Sequence, residues 1–370
     1  MSGERGRTQH RRVTSGGWDP DRAPRIVSPR TPLTAHRSPV VSVLLPCRDA
    51  EDTLDEALAS LVAQTFTDLE IIAVDDGSTD RTAAVLAAWA ARHPRIRVLR
   101  TPPAGIVAAL NAAAAVAEGA LLARMDADDV ALPGRLAAQV AWLDAHPEVA
   151  VCGTQVRYVP REAVKDGARR YERWVNGVVE VDAIARDLFV ECPLPHPTLV
   201  MRREAFVGVG GYRERGWPED YDLVLRLTGA GQMLGKVPEV LLHWRERPDR
   251  LSHASPVYGA DAFQRCRAHF LGPLRVRGRR VVVWGAGPVG KGMARALQAE
   301  GHEVAAFVEL DARKVGQTIH GAPVVGPDAI NTYRGCYTVA AVGQPGAREE
   351  IRVALLAAGW IEVEEFCAVA

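Results

Sequence analysis

The feature that most restricts the fold is an alternation of short apolar runs with helical stretches between Val40 and Cys152. Val40–Pro46, Leu69–Val74, Ile96–Leu99, Ala120–Met125 and Val149–Cys152 are brief and largely aliphatic, as strands buried on both faces require. Between them lie segments with helical spacing. One opens at Thr53 and carries Leu54, Ala57, Leu58, Leu61 and Val62 on one face, and Thr53-x-x-Glu56 has the pattern of a capping box. The others are Thr82–Arg92, Ile106–Ala117 and Pro133–Ala145. Strands alternating with helices predict an α/β fold with a largely parallel sheet. Ligands of such sheets bind beyond the carboxyl ends of the strands.

Acids collect at that edge. Asp49 follows the first strand, Asp75 and Asp76 end the second before the turn Gly77-Ser78-Thr79-Asp80, and Asp126 and Asp128 end the fourth. Two carboxylates at i and i+2 on a strand-to-loop turn can converge on one hard divalent cation whose open positions suit a diphosphate. Further along, Glu219-Asp220 precedes a helix, Tyr221–Leu227. Plainer roles also fit several residues. Asp80 can cap the helix after it. Asp222 can be a helix N-terminal charge, His196 a packed residue between prolines, and Arg135 a surface salt bridge.

From Gln64 to Asp80 the chain closely resembles family 2 glycosyltransferases of the GT-A fold. The resemblance continues at Asn111, Met125-Asp126-Ala127-Asp128-Asp129, Leu132–Leu136 and Trp217–Leu223, and spans residues 39–250. It implies a GT-A nucleotide-diphospho-sugar transferase domain and an enzyme moving a sugar, with UDP as the expected nucleotide, to a saccharide or lipid-linked acceptor. By the same resemblance Pro46, Arg48 and Asp49 touch the nucleotide, and Asp75 or Asp76 holds its base or ribose. Asp128 binds Mn²⁺ or Mg²⁺, and Asp126 holds the ribose or supports the metal. His243 and Arg245 face the diphosphate or the metal. Glu219-Asp220 matches the family's acidic pair, with Asp220 as the base. One base and no nucleophile imply a single displacement with inversion. Competing expectations are a nucleotide-sugar-binding scaffold with a silent site and a transferase fused to an NAD-dependent sugar oxidoreductase. The intact acids count against the first. The second lacks a Tyr-x-x-x-Lys pair.

A second unit is expected over residues 279–370, after a helical connector at 251–278. Val281–Trp284 reads as a strand and Gly285-Ala286-Gly287-Pro288-Val289-Gly290 as a glycine turn opening a helix. Glu309 ends the next strand, Val304–Val308. This is a dinucleotide fingerprint in its expected context. A P-loop is excluded because Gly292 stands where Ser or Thr would hold magnesium. The unit resembles the nucleotide-binding N-terminal domains of bacterial sugar acyltransferases and Rossmann-like units generally. That resemblance implies either an NAD or UDP-sugar site or a degenerate docking module.

Zero formal net charge gives no bulk attraction to nucleic acid. Six scattered cysteines without a C-x-x-C pair argue against a zinc site or disulfide framework and fit a reducing cytosol. No apolar run long enough for a transmembrane helix or a signal core is expected. Residues 1–38, with eight arginines, are expected to be a disordered basic tail that could touch anionic lipid headgroups at the inner face of the membrane. The donor sugar, the acceptor and the oligomeric state are left open.

Overall fold

The computed structural model describes residues 39–247, 250 and 255–370. The expected basic tail lies outside the described residues. Two sheets organise the chain.

The first sheet begins with β1 (Val41–Cys47), β2 (Leu69–Asp76), β3 (Ile96–Thr101) and β4 (Leu121–Arg124). Their helices are α1 (Leu54–Val62), α2 (Thr82–Arg92) and α3 (Ile106–Val116). After β5 (Val130–Ala131) come α4 (Arg135–Ala145), β6 (Val149–Val159), α5 (Asp166–Gly177) and α6 (Val181–Asp187). Then follow β7 (Val200–Arg202), α7 (Arg203–Gly208), α8 (Glu219–Gly229) and β8 (Met233–Arg245). The strand order is β3-β2-β1-β4-β7-β6-β8-β5.

Pairings among β1, β2, β3 and β4 are parallel, as the alternation predicts. β7 runs antiparallel to both β4 and β6, and β5 antiparallel to β8, so the sheet is mixed. The short strand beginning at Val149 proves to be an eleven-residue strand that pairs with the thirteen-residue β8. Pro238 within β8 falls where the register against Thr154 and Gln155 shifts. A proline confined to such an irregularity hides a strand from a reading by pattern. Helices α5 and α6 follow β6 in the stretch before β7.

Side-chain alternation divides the core of this sheet. Val41, Val43, Leu45 and Cys47 of β1 pack with Leu54 and Leu58 of α1, while Leu44 packs with Ala109 and Leu110 of α3 and Leu223 of α8. The second apolar layer does not stop at this sheet. It continues through α9 (Ala260–Leu271) into the second sheet, where Val281, Val283, Phe307 and Val339 belong to the same cluster.

The second sheet contains β9 (Val281–Trp284), β10 (Val304–Val308), β11 (Thr318–Ile319), β12 (Ala322–Val325), β13 (Tyr337–Ala340) and β14 (Phe366–Ala368), with α10 (Pro288–Ala299) and α11 (Ala347–Ala357). Its order is β11-β12-β10-β9-β13-β14, all parallel except β11 with β12. It is joined to the first unit by more than a linker. Arg352 of α11 pairs at 2.8 Å with Asp187 at the end of α6, both buried, and Val190 packs among Val282, Trp284 and Trp360. All six cysteines are buried thiols. Among the described residues no helix is long and apolar enough to cross a membrane.

Candidate active site

The loop after β4 carries the acidic triplet. Asp126, Asp128 and Asp129 each offer a carboxylate oxygen, and these oxygens lie within 4.8 Å of one another. The loop is fastened from two sides. Thr53 Oγ1 at the start of α1 donates to Ala127 O at 3.0 Å. Arg245 at the end of β8 donates its backbone N–H to Asp129 Oδ1 at 2.8 Å and its Nε to Asp128 O at 2.7 Å, and pairs with Glu56. The capping box expected at Thr53 and Glu56 therefore does not form: Thr53 makes no side-chain cap, and both residues are taken by the acidic loop and its clamp. Arg245, expected against a diphosphate, has its guanidinium on the loop backbone and on Glu56. His243 sits across from Val130 in the β5–β8 pair and is not one of the three clustered acids.

Asp129 was absent from the expected ligand set although it completes the triplet. It is 1% exposed, and its Oδ2 has no hydrogen-bond partner. Burial, followed by the charges of Asp126 and Asp128, pushes its pKa well above the ordinary carboxylate value. Burial and then Asp126 push Asp128 up to about 6. Arg250 lowers both Asp128 and Asp129 without reversing the rise, and Arg124, the last residue of β4 and 1% exposed, is ion-paired with Asp126. Its Nε is also without a partner. Despite the desolvation, Asp126, Tyr212 and Glu219 hold this guanidinium charged. The sequence signal for Arg124 was an arginine inside an otherwise apolar strand. Arg135 is not a surface residue. It is buried, and its Nη2 donates to Arg124 O at 2.6 Å, supporting the strand end.

Glu219 and Asp220 occupy the first turn of α8. Burial, then the charge of Asp220, raises Glu219 to about 7, and burial raises Asp220 to about 6. Glu219 Oε2 accepts from the Tyr258 hydroxyl at 2.6 Å, and Oε1 lies 3.7 Å from His196 Nδ1. His196 is packed as its plainer reading expected. Its Nε2 meets the Tyr212 hydroxyl at 2.8 Å, and burial followed by Arg124 holds it neutral, well below its ordinary pKa. Asn111 fixes Tyr212 with both ends of its amide, at 2.9 and 3.0 Å. Asp222 is an acid in the first turn of α8, as its plainer reading expects, and is fully buried between Arg226 at 2.6 Å and Trp217 Nε1 at 2.9 Å.

The first and second strand ends form the remaining wall. Asp75 is buried and accepts from Ser78 N at 3.0 Å and Arg100 Nε at 3.2 Å. Asp76 accepts from Ala104 N at 2.7 Å and Gly105 N at 2.9 Å, so both of its oxygens hold the loop before α3. That loop crosses so close to Gly77 that a β-carbon there would meet Pro103 at 2.6 Å, and φ is +66°. Asp49 accepts from Thr79 N at 2.8 Å and ties the two strand ends together. Pro46 lies in β1, and Arg48 is half-exposed with Nη1 3.7 Å from Asp76. Cys47, level with Asp75 in the parallel register, feels both Asp75 and Asp126 after its own desolvation, so the ends of β2 and β4 lie on either side of the end of β1.

The glycine turn of the second unit has the expected form. A β-carbon on Gly290 would lie 1.8 Å from Gly285 O, and Gly285 itself has φ +119°. Gly287 ends the turn before α10. Glu309, however, turns inward. It accepts from Ala286 N at 3.2 Å, Leu310 N at 2.9 Å and Asp311 N at 3.2 Å, and pairs with Lys314 at 2.9 Å. The cleft at this edge, about 540 Å³, carries Glu309, Asp311 and Glu350 against the single cation Lys314.

The model of glycosyl transferase family 2 matches residues 42–209. The amylovoran biosynthesis glycosyltransferase AmsE of Erwinia amylovora is 30% identical over 206 residues, 55% of this chain and 75% of AmsE. The Bacillus subtilis protein EpsE is 32% identical over 238 residues, 62% of this chain and 82% of EpsE. Among solved structures, Staphylococcus aureus TarS 1–349 in complex with UDP aligns with a TM-score of 0.49 at 19% identity, covering 63% of this chain and 65% of that one. The chain belongs to glycosyl transferase family 2, a glycosyltransferase with a GT-A core and a second, parallel-sheet unit, which transfers a sugar from a nucleotide sugar.

Proposed function

We propose that the protein is an inverting, metal-dependent glycosyltransferase using a UDP-sugar and delivering the sugar to a hydroxyl of a saccharide or lipid-linked acceptor. The observation that carries this reading is the convergence of Asp126, Asp128 and Asp129 with Glu219-Asp220 around the buried Arg124. Three carboxylates with oxygens close together, one of them Asp129 whose buried Oδ2 has no partner, fit a hard divalent cation. Asp128 and Asp129, with Asp126, would hold it, and a bound Mn²⁺ or Mg²⁺ would supply Lewis-acid stabilisation of the departing diphosphate. The chain's own groups do the rest. Asp75 and the Asp49 loop form the nucleotide side of the site. Arg124 pairs with Asp126 and supplies a buried positive charge beside the triplet. Asp220 accepts the acceptor's hydroxyl proton as attack proceeds, and with no side-chain nucleophile in the set a single displacement inverts the anomeric centre.

Two relatives support the setting without fixing it: AmsE is named for amylovoran biosynthesis, and the Myxococcus xanthus protein RfbC, 32% identical over 214 residues but matched over only 16% of its length, for O-antigen biosynthesis. The test is a donor panel with and without Mn²⁺, scored by nucleotide release. Full turnover in EDTA would remove the metal from this reading. For the second unit, the acidic cleft and the self-engaged Glu309 support a docking role over an NAD site.

A further inference from the structure

The segment between the two sheets reaches back to the acidic pair. Ser255 Oγ accepts from Val257 N at 3.4 Å and caps a 3₁₀ turn, Pro256–Tyr258, whose last residue donates its hydroxyl to Glu219 Oε2 at 2.6 Å. The helix that follows, α9, is fastened around the start of α8 at three more points. Arg265 Nη2 donates to Gly216 O at 2.9 Å, the Phe263 ring lies 5.9 Å from Tyr221, and the His269 ring lies 5.3 Å from Trp217. On its other side α9 shares a core with Met293 and Leu297 of α10. The first turn of α8 is thus braced by a helix that belongs equally to the second unit.

The two neighbouring carboxylates differ in what holds them. Glu219 is 3% exposed, with one oxygen on Tyr258 and the other toward His196. Asp220 is partly exposed and receives the Tyr221 N–H at 2.7 Å on Oδ1. Its own backbone N–H also faces the carboxyl, and no side chain donates a hydrogen bond to it among the described residues. We propose that Tyr258 is a positioning residue of the transfer reaction: its phenol holds Glu219 turned toward the linking segment, which leaves Asp220 as the carboxylate presented to the acceptor hydroxyl. This rests on reading Glu219-Asp220 as the site of base chemistry. The charged and titratable groups around Glu219 are Asp220 on its own helix, His196 and Tyr212 from the neighbouring loops, Tyr258 from the 3₁₀ turn and Arg124 from β4. Removing the phenol takes a donor from a buried carboxylate, a contact of the charge-assisted kind whose loss is felt strongly.

The experiment uses the full chain and Tyr258→Phe, which keeps the ring. The expected result is a fall in kcat of about ten-fold, with donor KM within two-fold, and a displaced ascending limb of the pH–rate profile. In a Glu219→Gln background the same change should add less than two-fold, because the two residues act through one contact. An unchanged kcat and profile, or effects of the two variants that simply multiply, would overturn the proposal. Asp220→Asn separates the layers: if it retains full activity, the base assignment has failed, whereas a dead Asp220→Asn beside a fully active Tyr258→Phe removes only Tyr258. If Tyr258→Phe melts much lower than the parent, Ser255→Ala, which loosens the same turn, replaces it. A smaller loss of kcat in the same direction supports the proposal, and no loss overturns it.

Discussion

The carboxyl edges of the two sheets are built from similar words and end in opposite electrostatic states. Each has a strand, a tight glycine turn and an acid. At the first sheet Asp75 and Asp76 are likewise clasped by their own loops, but four other acids are held against their preference. Burial raises Asp128 to about 6, Asp220 to about 6 and Glu219 to about 7, and Asp129 keeps an oxygen with no partner. At the second, Glu309 also pays a desolvation cost, but Lys314 and the N–H groups of Asp311 and Ala286 outweigh it and hold the carboxyl below its ordinary value. Buried, under-satisfied acids clustered together are the signature of a site suited to a cation or a proton. A carboxylate saturated by its own loop is a structural clasp.

The largest expected effect tests the first edge. Asp128→Ala should lower metal-dependent transfer by about 10³-fold or more, the several kcal/mol a Lewis acid contributes at a leaving group. Steady-state nucleotide release with Mn²⁺ measures it, and a mutant within ten-fold of the parent would break the comparison. Asp220→Asn should lower kcat by about 10²–10⁴-fold and leave donor affinity within a few-fold, the usual worth of a general base. A dead Glu219→Gln beside an active Asp220→Asn would exchange their roles.

A medium-sized effect concerns pH. A base must be deprotonated to act, so kcat should rise with pH through about 6, where Asp220 loses its proton. Cation binding needs the ionised form of Asp128, which also titrates near 6, so the rise in melting temperature caused by Mn²⁺ should be larger at pH 8 than at pH 5. An equal rise at both values would show that the triplet is not the ligand set.

The smallest effects belong to the second edge. Glu309→Gln should leave transfer within two-fold and lower the melting temperature by about 2–4 °C, as expected from loss of a charge-assisted contact in a chain of this size. Thermal shift of the full chain with NAD should stay below about 1 °C, the increment left when a ligand is not in excess of its dissociation constant. A shift of several degrees would restore the cofactor reading and erase the contrast between the two edges. The isolated fragment 279–370 is a poor substitute for the full chain, because it would strip Arg352 of Asp187 and expose the face that packs on α9.

The sequence by itself determined the parallel half of the first sheet, the alternation of β9 and β10 with α10, and the placement of acids at strand ends. These follow from local rules: β-branched runs, helical spacing and turn residues act within a few positions of themselves. It also marked Asp126, Asp128, Glu219 and Asp220. What only the tertiary structure decided are the relations between distant segments. Thr53 and Glu56 looked like a cap because their spacing is local, yet their partners, Ala127 in the loop after β4 and Arg245 at the end of β8, are distant in sequence. Pro238 disguised β8, whose pairing with β6 is non-local. Asp129 reads as one more turn residue until burial removes its water. Tyr258 has no motif at all; it meets Glu219 only because α9 folds back across α8. Burial and long-range contact set the protonation and the orientation of each acid, and neither quantity is carried by the identity of the residue alone.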